Sequence, residues 1–139
     1  MRKFTIFLSL AALLAACTGN DEKRQEAGNT DLFSEAIKTA EAQIGYQVKV
    51  IEESGKILNA RTIENGHVQY ISRQDWTSGF FPGTMFYMYD LTKDPKWLDV
   101  GVKYTEDLDT IKHLKWHHDV GFMIDCSFGN ALRVTNNDA

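Results

Sequence analysis

The chain has 139 residues, the size of one small domain, and its net charge of −4 comes from 15 basic and 19 acidic side chains scattered along it. No clustered basic patch points to nucleic acid as a partner. Two cysteines, Cys17 and Cys126, leave no internal disulfide once the first carries a lipid, as read next, even in an oxidising envelope.

The N-terminus reads as an address rather than a fold. Arg2 and Lys3 form a short basic region, and Phe4 to Ala16 is apolar apart from Thr5 and Ser9. Such a run is shorter than the ~20 apolar residues of a permanent membrane span. It ends in Leu14-Ala15-Ala16-Cys17, the lipobox pattern, in which small residues admit the lipoprotein peptidase and the cysteine thiol takes the lipid. The expectation is a signal peptide over residues 1–16 and lipidation at Cys17. A flexible tether is expected over 17–29, because Asp21–Gly28 is charged and offers no side chain large enough for a core. The protein is then expected in the cell envelope, held at a membrane by its lipid alone.

Asn29-Thr30-Asp31 offers helix caps, and Phe33, Ile37, Ala40, Ile44, Val48 and Ile51 recur at spacings of three and four. That stripe predicts a helix over about 31–52, ended by Ser54-Gly55. Asn65-Gly66, flanked by Arg61-Thr62-Ile63 and Val68-Gln69-Tyr70-Ile71, predicts a short hairpin. Asp75–Gly83 reads as a loop feeding a helix over 83–91, with Asp75 or Ser78 as cap and Pro82 in the first turn. That helix carries Met85, Phe86, Tyr87, Met88, Tyr89 and Leu91 and is apolar nearly all round, so burial on most sides is expected. Asp94-Pro95 opens the next helix, with Leu98, Val102, Thr105 and Leu108 on one face and Lys96, Asp99, Lys103, Glu106 and Asp107 on the other. A buried helix followed by an amphipathic one predicts an inner and an outer layer. After the loop His117–Gly121, a fourth helix is expected over 122–134. Cys126, in an apolar stretch, reads as a small core residue.

Two loops stand out chemically, Asp75–Phe80 and His118–Phe122. Each places an acid shortly before a Gly-Phe that opens a buried helix. Helix N-termini expose unpaired N–H groups and partial positive charge. If the two helices point the same way, their ends form one floor suited to a carboxylate, and Trp76 offers a flat apolar face for a sugar ring. The plainer reading is that Asp75 and Asp119 cap helices and that the aromatic residues pack a core. His117, His118 and Asp119 are adjacent in one loop and do not converge easily on one ion, so no metal is expected. His67 and His113 lie in polar surroundings.

Asp75–Asp94 (DWTSGFFPGTMFYMYDLTKD) and His117–Asn137 (HHDVGFMIDCSFGNALRVTNN) resemble the two N-terminal signatures of glycoside hydrolase family 88, the unsaturated glucuronyl hydrolases. The resemblance runs from Phe33 to the end. It implies an all-α fold, an (α/α)6 toroid of six inner and six outer helices with the site at one end of the inner ring. It also implies hydrolysis of lyase-generated oligosaccharides that carry a 4,5-unsaturated uronic acid at the non-reducing end. In the chemistry so implied, an aspartic acid protonates the vinyl-ether double bond, water adds to the oxocarbenium-like centre, and the hemiketal opens. No metal or organic cofactor is implied. Asp119 matches one of two active-site aspartates, Trp76 an aromatic of the sugar subsite, and His118 a neighbour of the site. The second aspartate lies in a later helix hairpin. Because a helix N-terminus favours the carboxylate form, Asp119 is expected to be the electrostatic and hydrogen-bonding helper, with the other aspartate donating the proton.

Twelve helices of ~11 residues joined by ~4–6 residues need about 200 residues. Residues 30–139 are therefore expected to be the first hairpins of a truncated toroid. The alternatives are an unsaturated rhamnogalacturonyl hydrolase, which shares the fold, and a non-catalytic carbohydrate-binding lipoprotein.

Overall fold

The computed structural model describes the backbone of residues 18–136 and the side chains of residues 31–136. The expected signal peptide over 1–16 and the lipidated Cys17 lie outside the described residues. The chain divides into two units, residues 1–40 and residues 41–139. Helix α1, Thr18–Glu53, contributes to both. It starts well before the predicted residue 31, so helical backbone runs through the stretch read as a tether. Glu22, Lys23, Arg24, Gln25, Glu26 and Ala27 are all good helix formers, and intrinsic propensity favours helix there. In the first unit Phe33 is exposed and Lys38 pairs with Glu35 at 2.9 Å.

In the second unit the predicted stripe on α1 engages: Ile44 is half-buried, and Val48 and Ile51 are buried. The hairpin follows, with β1 (Asn59–Glu64) antiparallel to β2 (His67–Ile71). Asn65 and Gly66 both take positive φ, 50° and 79°, as the two central residues of a type I′ turn do. Ala60 faces Tyr70 and Thr62 faces Gln69, so Arg61 is an extra residue on β1, a β-bulge. An isolated hairpin is marginal in water. A hydrogen bond from Gln47 Nε2 to Tyr70 Oη at 2.6 Å ties this one to α1.

Helix α2 is Phe80–Thr92, three residues longer at its start than predicted. Neither predicted cap is used. Ser78 is fully buried and donates to the Arg73 carbonyl at 3.0 Å, and Asp75 closes its own turn, described below. Lys93, in the left-handed region, ends the helix by donating to the Tyr89 carbonyl. Helix α3, Pro95–Asp107, is capped as expected, Asp94 accepting from the Lys96 N–H at 3.0 Å. Its buried face keeps Thr105 and Leu108 of the predicted one and is otherwise shifted. Trp97, Gly101, Tyr104, Thr105 and Leu108 are buried, whereas Leu98 and Val102 are only half-buried. The two aromatic residues carry the most apolar area, and area removed from water decides which face turns inward. A short 3₁₀ helix, Asp109–His113, leads into the second candidate loop.

The last helical stretch is α4 (Val120–Ile124), a π-helical turn (Asp125–Gly129) and α5 (Asn130–Thr135), continuous in chain order. The sequence predicted an ordinary helix there. The hydroxyl of buried Ser127 donates to the Met123 carbonyl at 2.8 Å, and such bonding back along a helix disturbs its regular ladder.

The packing has a definite polarity. α3 runs antiparallel to α2, with Phe81 against Tyr104 at 5.0 Å and Gly101 under the Phe86 ring. The second-unit part of α1 runs parallel to α3, through Glu41–Lys96 at 3.1 Å, Gly45 beneath Trp97, and Glu52–Lys103 at 3.1 Å. α4 and α5 run parallel to α2: Gly79 meets Met123, Gly83 meets Cys126, and Arg133 pairs with Asp90. Two parallel inner helices backed by two parallel outer ones match the pairing of an all-α toroid, with the hairpin as an addition between α1 and α2. The inner helix α2 buries Met85, Phe86 and Met88 but leaves Phe80, Tyr87 and Leu91 exposed. Burial therefore covers less of α2 than the sequence predicted.

Candidate active site

Two glycines set the geometry. A Cβ on Gly79 would lie 2.4 Å from the Met123 carbonyl oxygen, and one on Gly83 would lie 2.6 Å from that of Cys126. Glycine at both positions lets the backbones of α2 and α4 touch, which brings the two candidate loops side by side. Below them Leu108, Ile111 and Met123 form a buried cluster lined by Leu114, Ile124 and Phe128. This cluster gives the loop over 114–119 a rigid base.

On this base sits an aromatic cluster. Phe80 and Phe122, the first aromatic residues of the two Gly-Phe pairs, stack edge to face with centroids 5.1 Å apart. Trp76 lies 6.0 Å from Phe80 and 6.2 Å from Phe122. Each of the three is more than two-fifths exposed, so the cluster presents apolar ring surface to solvent instead of packing away, contrary to the core reading. Apolar faces of this kind suit the C–H face of a sugar.

Asp119 stands at the start of α4, directly before Val120. Its carboxylate makes no capping hydrogen bond, so the capping reading fails for it. The Oδ2 atom lies 3.3 Å from His118 Nε2 and 3.9 Å from His117 Nδ1, and about a third of the side chain is exposed. The carboxylate is thus engaged by the neighbouring histidines and not by its own helix. His118 is almost fully solvent-exposed, whereas His117 is well covered and accepts the Asp119 N–H at 3.2 Å through Nδ1. Sequence reasoning named His118. The histidine that shapes the loop is His117, and two adjacent histidines carry no signal to tell them apart. The rings of Trp116, His117 and His118 follow one another at 5.1 and 5.9 Å.

Asp75 does not cap α2 either. Its Oδ1 accepts both the N–H (2.9 Å) and the hydroxyl (2.7 Å) of Thr77, and its Oδ2 pairs with Arg61 Nη1 at 3.3 Å. Burial pushes the Asp75 carboxyl up, but the two Thr77 hydrogen bonds and the charges of Arg61 and His117 outweigh it and hold it below the usual carboxylate value. Burial and the neighbouring Asp125 raise the Cys126 thiol, which makes it a poor nucleophile at neutral pH.

No family model matches the chain. It is 36% identical over 66 residues to an unsaturated glucuronyl hydrolase of Formosa agariphila, covering 48% of this chain and 16% of that protein. It is 31% identical over 71 residues to an unsaturated glucuronyl hydrolase of Bacillus sp. strain GL1, covering 47% of this chain and 19% of that one. The crystal structure of an unsaturated glucuronyl hydrolase specific for heparin superimposes with a TM-score of 0.56 at 44% identity, over 58% of this chain and 22% of the other. The sequence relatives and the structural neighbour are thus unsaturated glucuronyl hydrolases, matched over part of the chain. The chain spans about a fifth or less of the length of each.

Proposed function

We propose that this chain is the N-terminal part of a hydrolase that removes a 4,5-unsaturated uronic acid from the non-reducing end of lyase-generated oligosaccharides, and that it is lipid-anchored in the cell envelope through Cys17. The observation that carries the catalytic reading is that Phe122, three residues after Asp119 in the second loop, packs against Trp76 and Phe80 of the first. The similarity of both loops to unsaturated glucuronyl hydrolases supports it, and the lipobox supports the anchor.

In this reading the rings hold the flat unsaturated sugar by its apolar face. His118 stands at the open edge of the site. Asp119 acts as an acceptor and stabilises positive charge as the ring becomes oxocarbenium-like. The proton goes to the C4 end of the double bond from a second aspartic acid in a later hairpin. Water then adds at C5, the hemiketal opens, and the glycosidic linkage is lost without direct attack at the anomeric carbon, unlike the usual two-carboxylate scheme. Each step conserves electrons, and no metal or cofactor takes part.

The test is turnover of an unsaturated glucuronyl disaccharide by protein purified from its own locus, so that any coding sequence beyond codon 139 is included. Loss of the ultraviolet absorbance of the conjugated double bond is the expected result. Tight sugar binding with no loss of absorbance would identify a binding lipoprotein instead.

A further inference from the structure

We infer that Arg61, on the β-hairpin, is a positioning residue for Trp76 and acts through Asp75; this rests on the reading that Trp76 lines the sugar site. Three observations carry it. Arg61 is the bulge residue of β1, between the Ala60–Tyr70 and Thr62–Gln69 pairs. Bulges re-aim one side chain away from the alternation of its strand and are over-represented next to active sites. The side chain so re-aimed reaches Asp75 Oδ2 at 3.3 Å. The other oxygen of the same carboxylate closes the turn around Trp76 by taking the Thr77 N–H and hydroxyl.

The two oxygens therefore have separate duties, and Arg61 prevents the carboxylate from rotating and exchanging them. Trp76 sits between Asp75 and Thr77, so the tilt of its ring against Phe122 follows the turn. The hairpin, which the helical scaffold does not require, gains a role: it sets the aromatic wall of the site from outside the two signature loops. The contact is a single charge pair rather than a bidentate fork, so lysine should replace arginine here, which it does poorly at forked sites.

The 139-residue chain labelled with 5-fluorotryptophan gives three ¹⁹F signals, from Trp76, Trp97 and Trp116. Trp97 is 2% exposed and reports the core. Arg61→Gln should shift or broaden the Trp76 signal and leave Trp97 in place, and Arg61→Lys should restore Trp76. In a titration with unsaturated glucuronyl disaccharide, Arg61→Gln should weaken binding about two- to fivefold, the range of a part-exposed ion pair. An unmoved Trp76 signal in Arg61→Gln, failure of lysine to restore it, or an equal disturbance of Trp97 would overturn the assignment. A wild-type Trp76 signal that ignores the disaccharide yet still depends on Arg61 would remove the sugar reading and leave the positioning role standing.

Discussion

Alanine at Gly79 places a methyl carbon 2.4 Å from the Met123 carbonyl oxygen and 3.0 Å from both the carbonyl carbon and Cα of Met123. Comfortable contact needs about 3.5 Å, so α2 and α4 must separate by about 1 Å, and backbone cannot swing aside as a side chain can. Overpacking of this kind costs about 1–3 kcal/mol. Gly79 is also the N-cap of α2, where alanine is poorer than glycine by roughly 0.5–1 kcal/mol. The two effects add, so Gly79→Ala should lose about 2–4 kcal/mol. Gly83→Ala meets the Cys126 carbonyl oxygen at 2.6 Å, but it lies inside the helix, where alanine gains about 1 kcal/mol over glycine. Its net loss should be smaller, roughly 0–2 kcal/mol. Once one methyl has spread the helices the second meets less resistance, so the double variant should cost less than the sum. Urea unfolding followed by far-ultraviolet circular dichroism measures all three. An unchanged midpoint in Gly79→Ala, or a Gly83→Ala variant more stable than the parent, would show that these helices do not meet backbone to backbone.

Burial, reinforced by Glu52, pushes Tyr104 up to about 12, so the folded state keeps this proton after the unfolded chain has released it. The contribution is therefore intact below pH ~10, the ordinary tyrosine value, and is lost as pH rises towards 12. Tyr104→Phe keeps the contact with Phe81 and should flatten the alkaline loss in urea midpoints; parallel losses in both proteins would contradict this. Cys17→Ser should abolish incorporation of radiolabelled palmitate, and equal labelling of the two forms would sink the lipobox reading.

Local chemistry made much of the fold legible. Asn65-Gly66 announced a turn that needs two positive φ angles, and Asp94-Pro95 announced a helix start, because both signals act within a few residues. What escaped depends on partners distant in sequence. Gly79 and Gly83 are four residues apart on one helix face, but only the opposing Met123 and Cys126 carbonyls reveal that both must be glycine. Trp97 and Tyr104 outweigh the aliphatic stripe of α3 only because α1 and α2 supply surfaces to cover them. The pair Arg61–Asp75 joins a strand bulge to a loop, and neither residue alone distinguishes it from an ordinary surface charge. At the candidate site, the motifs point to Trp76 and Asp119. The contributions of Phe80, Phe122 and His117 required the parallel alignment of α2 and α4.

In the proposed function Asp119 faces the reacting sugar beside Trp76. The most direct measurement is the disaccharide absorbance assay on Asp119→Asn, purified from its own locus beside wild type, with circular dichroism to confirm an intact fold. The kcat should fall by about 100-fold or more, the range for a group engaged in the transition state, while KM changes little. A folded Asp119→Asn enzyme turning over at the wild-type rate would contradict it.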